Sequence, residues 1–440
     1  MNIFKRIFAL LLVLTLLALP LSLLSSCDVK SQGETTTLYV YNWGEYMSDG
    51  SEGTLDSNRA FELWYEYTYG ERVDVVYSTY SSNEDMYAKL SGGAVSYDII
   101  VPSDYMIERL ISGGENGESL LSPLNKENIP HMDNLSPSFY GENAPYDYYD
   151  EGNIYSVPYF YGMIGIIYNT TMVEEEDIGS WDVMWNEKYK GNILQFNNSR
   201  DALGTAQYKL GIDVNTNNED EWRAALGELK AQKAIVQGYV MDEIFNKMEG
   251  GSAAISAYYA GDFLTMYENN SDLEFFYPEE GTNLYVDAMC IPASSQNKLV
   301  AERYIDFMLM VDEDFDEGFI DFYNERTGEE FYSAAIANAE YTYYASPNQK
   351  VVDDEDYQET LNLIKPGAYK LMYDENALKS ATSYKNLTPE KLALINNLWE
   401  ELKSDIDVSP VIIIICAVII GTLAAGGIFL GFRKRFRNNY

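Results

Sequence analysis

Two long apolar runs lie near the ends of the sequence, and they confine any globular fold to the residues between them. Two basic residues precede the run Ile7–Leu24, which is the layout of a secretory signal sequence. The run Pro410–Phe432 is long enough to cross a hydrocarbon core of ~30 Å as a helix. The basic segment Arg433–Arg437 follows it directly. By the positive-inside rule both basic ends stay in the cytoplasm, so residues 28–407 are expected to lie outside the cell membrane.

The N-terminal apolar run ends in a cysteine motif. The segment Leu24-Ser25-Ser26-Cys27 is typical of a bacterial lipobox, in which Cys27 becomes the lipidated first residue of the mature protein. An uncleaved signal anchor is the alternative interpretation. The sequence therefore predicts a signal peptide with lipobox at 1–27, a tether at 28–37, a transmembrane helix at 410–432 and a basic cytoplasmic tail at 433–440.

The charge balance of the chain is strongly acidic. Its 440 residues carry a formal net charge of −39, and its pI is near 4.2. This balance argues against nucleic-acid binding, because there is no basic surface to meet phosphates. A cationic partner fits better, although solubility alone also accounts for a large net charge.

Residue types that carry most enzyme chemistry are scarce. His131, expected in a loop, is the only histidine, so a His-based triad has one candidate and a His-rich metal site is excluded. No P-loop motif is present. The three cysteines are Cys27, Cys290 and Cys416, and Cys290 is expected to be buried, so no disulfide is predicted within the folded part. The sequence predicts a binding protein without a cofactor or metal rather than an enzyme.

Strand-like and helix-like segments alternate along the chain, which predicts an α/β fold with a largely parallel sheet. The length favours two folded lobes over one compact domain. The first block has strands at 38–41, 73–77 and 98–102 and a helix at 58–69. The second block has strands at 165–168, 192–195 and 253–256 and helices at 201–210 and 219–230, and further helices are predicted at 299–310 and 389–404.

A flexible polycation would require a slot of aromatic faces for its methylenes, with carboxylates placed where its nitrogens fall. Cation–π contacts contribute ~0.5–2 kcal/mol each, and ion pairs fix the position of each ammonium group. The chain has 38 tyrosines and 69 acidic residues, so such pairs occur throughout by chance. Composition alone therefore does not locate the slot.

Several ordered motifs resemble the bacterial spermidine/putrescine-binding proteins of polyamine ABC transporters. The strand-turn Leu38–Tyr46, with its Tyr-Asn-Trp-Gly-Glu-Tyr segment, is similar to the opening of those proteins, and so is Tyr77–Leu90. Further matches are Tyr97–Ser103, Tyr155–Tyr159 with Tyr161-Gly162, Ser180-Trp181 and Tyr189–Gly191. The similarity extends from about Leu38 to Trp399 and weakens after Phe307.

This resemblance implies a type II periplasmic-binding-protein fold, in which two α/β lobes are joined by hinge crossings around a cleft. Lobe 1 is expected to comprise 38–155 and 288–345, and lobe 2 to comprise 156–287 and 346–405. The implied ligand is a polyamine, spermidine or putrescine. The implied partners are the membrane permease and ATPase of an ABC importer.

The resemblance also implies ligand-binding residues, carried over motif by motif. Trp43 is expected to form an aromatic wall, and Tyr259 and Tyr285 stand where the family usually has tryptophan. Asp287 keeps the acid that binds an amine, and Asn198 stands where some members have a carboxylate. The full expected set is Trp43, Glu45, Tyr46, Ser78, Tyr80, Asn198, Asp201, Tyr259, Asp262, Tyr285, Asp287 and Tyr344.

Other functions remain open at this point. The chain could use the same fold as a tethered sensor or adhesin, or bind another small solute. An extracellular hydrolase acting through Asp201, Asp262 and Asp287 is a further alternative. The C-terminal apolar run could also be an interaction helix of a larger permease assembly.

Overall fold

The computed structural model describes residues 35–93, 96–113 and 117–404. The strands are β1 (Thr36–Trp43), β2 (Val73–Tyr80), β3 (Ile99–Ile100), β4 (Ser156–Asn169), β5 (Ile193–Phe196), β6 (Val236–Val240), β7 (Ile255–Tyr259), β8 (Leu273–Phe276), β9 (Asn283–Cys290) and β10 (Thr382–Ser383). The helices are α1 (Ser57–Tyr69), α2 (Asn83–Ser91), α3 (Asp104–Ser112), α4 (Ser199–Leu210), α5 (Glu219–Lys233), α6 (Glu243–Glu249), α7 (Ala260–Asn269), α8 (Lys298–Phe307), α9 (Glu317–Thr327), α10 (Ala334–Thr342), α11 (Gln349–Val352), α12 (Glu355–Ile364), α13 (Ala368–Met372), α14 (Glu375–Ser380) and α15 (Pro389–Ser404). Strands and helices alternate, which confirms the predicted α/β class.

The strands form two parallel groups joined by two antiparallel strands. The order across the sheet is β2-β1-β3-β9-β4-β7-β5-β6. Within the first group β1 pairs parallel with β2 and β3, and within the second group β5 pairs parallel with β6 and β7. Strand β4 pairs antiparallel with β9 through its first half and with β7 and β8 through its second half. Strands β4 and β9 therefore connect the first strand group (β1–β3) to the second (β5–β7).

Strand β4 is much longer than the predicted strand segment 165–168. It runs over Ser156–Asn169, and all but one of its residues are buried. Neighbouring strands cover both of its edges, so polar and small residues such as Ser156 and Gly162 belong to the strand as well. By contrast, the predicted strand 98–102 contracts to Ile99–Ile100, because Pro102 cannot donate to a ladder.

Helix termini follow the expected capping chemistry. The Asp56 side chain accepts a hydrogen bond from the Arg59 backbone N–H at 2.9 Å, and α1 ends at Gly70 with φ of 70°. At the start of α4, the Asn198 side chain accepts from the backbone N–H of Asp201 at 2.8 Å. The cap of α4 is therefore Asn198, and the Asp201 side chain is free for another contact.

The acidic segment 312–331, which follows α8, contributes side chains to the core as well as to the surface. Its carboxylates are largely exposed, but Phe315, Phe319, Tyr323 and Phe331 pack into one buried cluster. Through this cluster α9 packs against α1, where the Tyr67 ring contacts the Phe319 ring. Acidic residues between the aromatic positions keep the outer side of α9 in water.

His131 lies in a 3₁₀ turn, Pro130–Asn134, rather than in an irregular loop. Its Nδ1 lies 3.0 Å from the Asp306 carboxylate on α8, and the same carboxylate accepts from the His131 backbone N–H at 2.9 Å. The hydrogen bond with Asp306 raises the pKa of His131 above its usual 6.5. His131 thus has a structural partner and does not line the cavity described below.

The predicted signal peptide with Cys27, the apolar run 410–432 and the basic tail lie outside the described residues. Among the helices between residues 35 and 404, none has both the length and the apolar character that a bilayer crossing requires.

Glycines on β4 leave space for aromatic rings of neighbouring strands to pack against the backbone. A Cβ atom on Gly165 would lie 2.1 Å from Cζ of the buried Phe275 ring on β8. We predict that Gly165→Ala destabilises the fold by ~1–3 kcal/mol, because the ring has to leave its packed position. Chemical denaturation of the full-length chain in detergent measures the effect.

Gly227 supplies the matched control, since it lies inside α5 with open space around its Cα. There, Gly227→Ala is expected to stabilise the protein by ~0.5–1 kcal/mol through helix propensity. An unchanged free energy of unfolding for Gly165→Ala would contradict the packing argument.

Candidate functional site

A cavity lies where the carboxyl ends of the parallel strands of both groups meet. It holds about 870 Å³ of empty space, its open mouth included. Its lining follows the ends of β1, β2, β3, β5, β6 and β7, which is where open α/β sheets bind ligands. The lining residues are Trp43, Gly44, Glu45, Tyr46, Tyr80, Ser81, Ser82, Asn83, Glu84, Ser103, Asp104, Tyr105, Asn198, Asp201, Met241, Asp242, Phe245, Tyr258, Tyr259, Asp262, Asn283, Tyr285, Asp287, Tyr344 and Tyr384.

The structure brings together every predicted site residue except Ser78. Ser78 does not line the cavity; its hydroxyl donates to the Val40 carbonyl oxygen at 3.4 Å, within the pairing of β1 and β2. Strand β2 continues to Tyr80, and the cavity lining in this segment begins at Tyr80 and includes Ser81, Ser82, Asn83 and Glu84.

Three acidic lining residues were not anticipated from the sequence. They are Glu84, Asp104 and Asp242, which follow the ends of β2, β3 and β6. Their position after a strand end was the available signal, but acidic residues are too frequent in this chain for that signal to stand out. Among the described residues, the cavity lining includes no lysine, arginine or histidine. Seven carboxylates of the described chain line it: Glu45, Glu84, Asp104, Asp201, Asp242, Asp262 and Asp287.

Tyrosine hydroxyls donate hydrogen bonds to six of these seven carboxylates. The oxygen–oxygen distances are 2.7 Å for Tyr46–Asp287, 2.7 Å for Tyr259–Asp201, 3.0 Å for Tyr344–Asp262, 3.1 Å for Tyr105–Glu84 and 3.2 Å for Tyr341–Glu45. The sixth pair is Tyr148–Asp104. A phenol orients a carboxylate without neutralising it. The cavity therefore holds acidic groups that are fixed in orientation and that have no positively charged side chain beside them in the described lining.

Asp287 sits at the centre of this network, on β9. Ser103 Oγ donates to one carboxylate oxygen at 2.6 Å, and Tyr46 Oη donates to the other at 2.7 Å. Ser103 and Asp287 also form an isolated β-bridge, so the backbone holds the two side chains together. Both oxygens are thus fixed in orientation.

Burial raises the pKa values of the cavity carboxyls. Desolvation is the largest cause in each case, and it raises the pKa of Asp104 and of Asp262 to about 8 and that of Asp287 to about 6. The pKa values of Asp201 and Glu84 are raised as well, again chiefly by burial. A cation in the cavity would favour the ionised forms of all these groups.

Aromatic rings form the walls between the carboxylates. Trp43 is fixed by a hydrogen bond from its Nε1 to the Val101 carbonyl oxygen at 2.9 Å. Tyr285 lies edge-to-face against Tyr259, with ring centroids 5.3 Å apart, and its centroid is 6.2 Å from that of Tyr344. Such rings offer π faces to methylene and ammonium groups.

Two of these rings lie on glycines. A Cβ atom on Gly261 would be 2.1 Å from Cδ2 of Tyr344, and one on Gly162 would be 2.4 Å from the Tyr285 hydroxyl oxygen. Both glycines fall in segments that the sequence singled out for other reasons. Their function here is to let a tyrosine ring lie directly on the backbone of the opposite element.

The turn after β1 carries Glu45 in a left-handed conformation, with φ of 49°. This is uncommon for a residue other than glycine, asparagine or aspartate, and such strain concentrates at functional sites. The turn brings Gly44 close to Asp242 from the second strand group: a Cβ atom on Gly44 would lie 3.1 Å from the Asp242 carboxylate. Acidic side chains from both groups therefore face each other at the cavity mouth.

A buried arginine lies behind one wall. The Arg200 guanidinium is 4.5 Å from the ring centroid of Tyr384, which lines the cavity, and it donates to Asn215 at 2.9 Å. Burial lowers the pKa of Arg200, and the electrostatic interaction with Tyr384 is the largest effect that opposes this shift. The positive charge of Arg200 thus lies behind the cavity wall near Asp201.

Comparisons with known proteins agree with this geometry. The sequence model of the bacterial extracellular solute-binding protein family matches residues 61–315. The spermidine/putrescine-binding periplasmic protein of Escherichia coli K12 is 31% identical over 282 residues, which are 63% of this chain and 74% of that protein.

Solved structures give the same result. A spermidine/putrescine ABC transporter protein from Listeria monocytogenes superposes with a TM-score of 0.67 at 30% identity, covering 84% of this chain and 99% of that one. The spermidine/putrescine substrate-binding protein PotD of Streptococcus pneumoniae gives 0.61 at 28% identity, covering 84% and 98%. The fold is that of the periplasmic binding proteins.

The raised carboxyl pKa values predict how stability depends on pH. The pKa of Asp262 is about 8 in the folded chain against 3.8 for an unperturbed aspartate, so between these values the folded state binds more protons than the unfolded state. The thermal midpoint of the ligand-free protein is therefore expected to fall as pH rises from 5 to 8. Asp262→Asn should make this fall shallower.

The exposed Asp321 on α9 provides the control, because Asp321→Asn makes the same chemical replacement without touching the cavity. Scanning calorimetry at pH 5, 6, 7 and 8 compares the slopes. Equal slopes for the two variants would contradict the assignment of proton uptake to Asp262.

Proposed function

This chain belongs to the bacterial extracellular solute-binding protein family, together with the spermidine/putrescine-binding proteins, and we propose that it captures a polyamine for import by an ABC transporter. The observation that carries this proposal is the cavity lining: seven carboxylates, no basic side chain, and neutral tyrosine donors that orient six of the acids. Such a lining attracts cations and penalises anions. The aromatic walls between the acids suit the methylene segments of an alkyl amine.

The distribution of the acids favours several positive charges over one. They come from both strand groups, with Glu45 after β1 and Asp104 after β3 in the first group, and Asp201 after β5 and Asp262 after β7 in the second. A single ammonium group can pair with one or two desolvated carboxylates and leaves the others uncompensated, which is costly. A chain of amines separated by methylenes places one charge at each acidic position. Trp43, Glu45, Tyr46, Tyr80, Asn198, Asp201, Tyr259, Asp262, Tyr285, Asp287 and Tyr344 are the proposed binding residues.

We propose that the two lobes close on the ligand as in a type II periplasmic binding protein. The proposed lobes are 38–155 with 288–345, and 156–287 with 346–405, and β4 and β9 run between them. The mouth acids Glu45 and Asp242 repel each other when no cation is present, and each contributes to raising the pKa of a neighbouring carboxyl. A bound cation replaces this repulsion by attraction, so it shifts the population towards the closed form.

The proposal includes attachment to the membrane. A lipid on Cys27 and a helix over 410–432 would hold the binding domain beside its permease and ATPase at high effective concentration. The folded domain would then act on the external side of the membrane.

Removal of the central acid is the test of polyamine binding. Calorimetric titration of the full-length chain in detergent is expected to give heat with spermidine or putrescine. We predict that Asp287→Asn weakens binding by at least about 30-fold, because it removes a charged partner and leaves an ammonium group unpaired in a buried site.

The surface variant Asp321→Asn controls for net charge and should bind like the natural chain. Absence of heat and of thermal stabilisation with putrescine, spermidine and spermine would refute the polyamine assignment. Equal affinities of Asp287→Asn and the natural chain would refute the site.

Polyamine binding is also expected to release protons. The carboxyls of Asp262 and Asp104 are partly protonated at neutral pH, since their pKa values are about 8, and a cation favours their ionised forms. The affinity should therefore increase from pH 6 to pH 8. Titrations at one pH in two buffers of different ionisation enthalpy count the released protons, and identical heats in both buffers would contradict this linkage.

A further inference from the structure

A short segment between β10 and α15 contacts both strand groups. It follows β10, which pairs with the start of β9, and it continues into α15, which packs against α4 and α5 beside the second strand group. Up to Lys385 the segment is bound on that side. The Asn215 side chain, between α4 and α5, donates to the Ser383 carbonyl oxygen and accepts from the Lys385 backbone N–H, each at 2.9 Å. The next residue, Asn386, contacts the first strand group instead.

Asn386 forms two hydrogen bonds with α3, the helix that follows β3. Its backbone N–H donates to Oε2 of Glu108 at 2.6 Å, and its side-chain Nδ2 donates to Oγ of Ser112 at 3.2 Å. Glu108 and Ser112 are four residues apart on α3, so they share one face of that helix. Because α3 falls in the proposed lobe segment 38–155 and Asn386 falls in 346–405, this contact joins the two proposed lobes.

The contact lies beside the cavity without lining it. The ring of Tyr384, two residues before Asn386, lines the cavity and lies edge-to-face with Tyr105 of α3, with ring centroids 6.2 Å apart. Glu108, Ser112 and Asn386 are not part of the lining. The contact therefore responds to the distance between the strand groups and not to the identity of a ligand.

The Glu108 carboxylate depends on Asn386 for its hydrogen bonding. Within the described part of the chain, the Asn386 N–H is the one donor to this carboxylate, and no basic side chain lies within ion-pair distance of it. A hydrogen bond to an ionised acceptor is roughly twice as strong as one between neutral groups. The bond therefore favours the arrangement in which the two strand groups lie close together.

We propose that Glu108, Ser112 and Asn386 form a latch that holds the two lobes closed over a bound ligand, with Glu108 as its main positioning residue. The inference rests on the proposed closure of the lobes and goes beyond the ligand site, because the latch residues do not line it. A contact made only in the closed form increases the closed population, so it strengthens the binding of every ligand by the same factor. A ligand leaves after opening, so the latch slows dissociation and leaves association unchanged.

The test measures affinity and dissociation rate for two ligands on the full-length chain in detergent. Putrescine and spermidine are titrated calorimetrically, and dissociation is followed by stopped-flow tryptophan fluorescence, since Trp43 lines the cavity. We expect Glu108→Ala to weaken the binding of both amines by the same factor, about fivefold, and to raise both dissociation rates by that factor. Glu108→Gln keeps an acceptor for the N–H, so it should restore most of the loss.

A double-mutant cycle tests the second hydrogen bond. Ser112→Ala and Asn386→Ala remove the same bond, so each alone and both together should weaken binding by the same factor, about twofold. The control is Glu325→Ala, which makes the same replacement as Glu108→Ala at an exposed position of α9. It should leave affinities and rates unchanged. A merely structural role of Glu108 would lower the thermal midpoint of the ligand-free chain without changing the dissociation rates.

The outcomes separate this inference from the proposed function. Unchanged dissociation rates in Glu108→Ala, with both amines bound by the natural chain, overturn the latch alone. A loss confined to one amine also overturns it, because a contact outside the cavity does not distinguish ligands. If the natural chain binds neither amine, the polyamine assignment fails, and hydrogen exchange of the ligand-free chain decides the latch. The Asn386 amide should then exchange faster in Glu108→Ala than in Glu325→Ala, and equal exchange overturns the latch.

Discussion

The cavity depends on one kind of contact, the hydrogen bond from a neutral tyrosine hydroxyl to a buried carboxylate. Burial of an acid usually requires either a cationic partner or protonation. Here phenols satisfy part of the hydrogen-bonding capacity of the acids, and burial raises the pKa of Asp104 and of Asp262 to about 8, so these two carboxyls hold protons at neutral pH. Burial raises the pKa of Tyr46, Tyr259 and Tyr344, so these hydroxyls keep their protons and remain donors. The hydroxyls therefore orient the acids without supplying a positive charge, and a bound cation provides the counterion that favours their ionised forms.

The fold provides the places where these pairs meet. Parallel strands end at the same edge of each strand group, and β4 and β9 hold the two edges opposite one another. Most of the tyrosine–carboxylate pairs join residues far apart in the chain, as with Tyr46 and Asp287. Glycines then let the rings approach closely, as Gly261 does under Tyr344.

Much of the fold could be predicted from the sequence because its elements are locally determined. Helix α5 begins after Asn218 and has the apolar spacing of a packed helix, and α15 runs over the same residues that its periodicity predicted. Of the site residues, Trp43, Asp287 and Tyr344 could be found through motifs that surround them. Ser78 lies within β2 and does not line the cavity, because the extent of β2 is set by pairing with β1, which no local pattern reveals. Asp104 and Asp242 were missed because they resemble many other acidic residues of the chain.

The sequence by itself determined the α/β class, the acidic character and the family, since these reside in periodicity, composition and ordered motifs. Only the tertiary structure decided which acids face one cavity and which hydroxyls orient them. The physical reason is that hydrogen bonding and desolvation depend on distances between residues that are remote in the chain. For Tyr259, the sequence showed a smaller ring than expected, whereas the structure shows a hydroxyl 2.7 Å from Asp201. A local pattern identifies a side chain, but the fold assigns its partner.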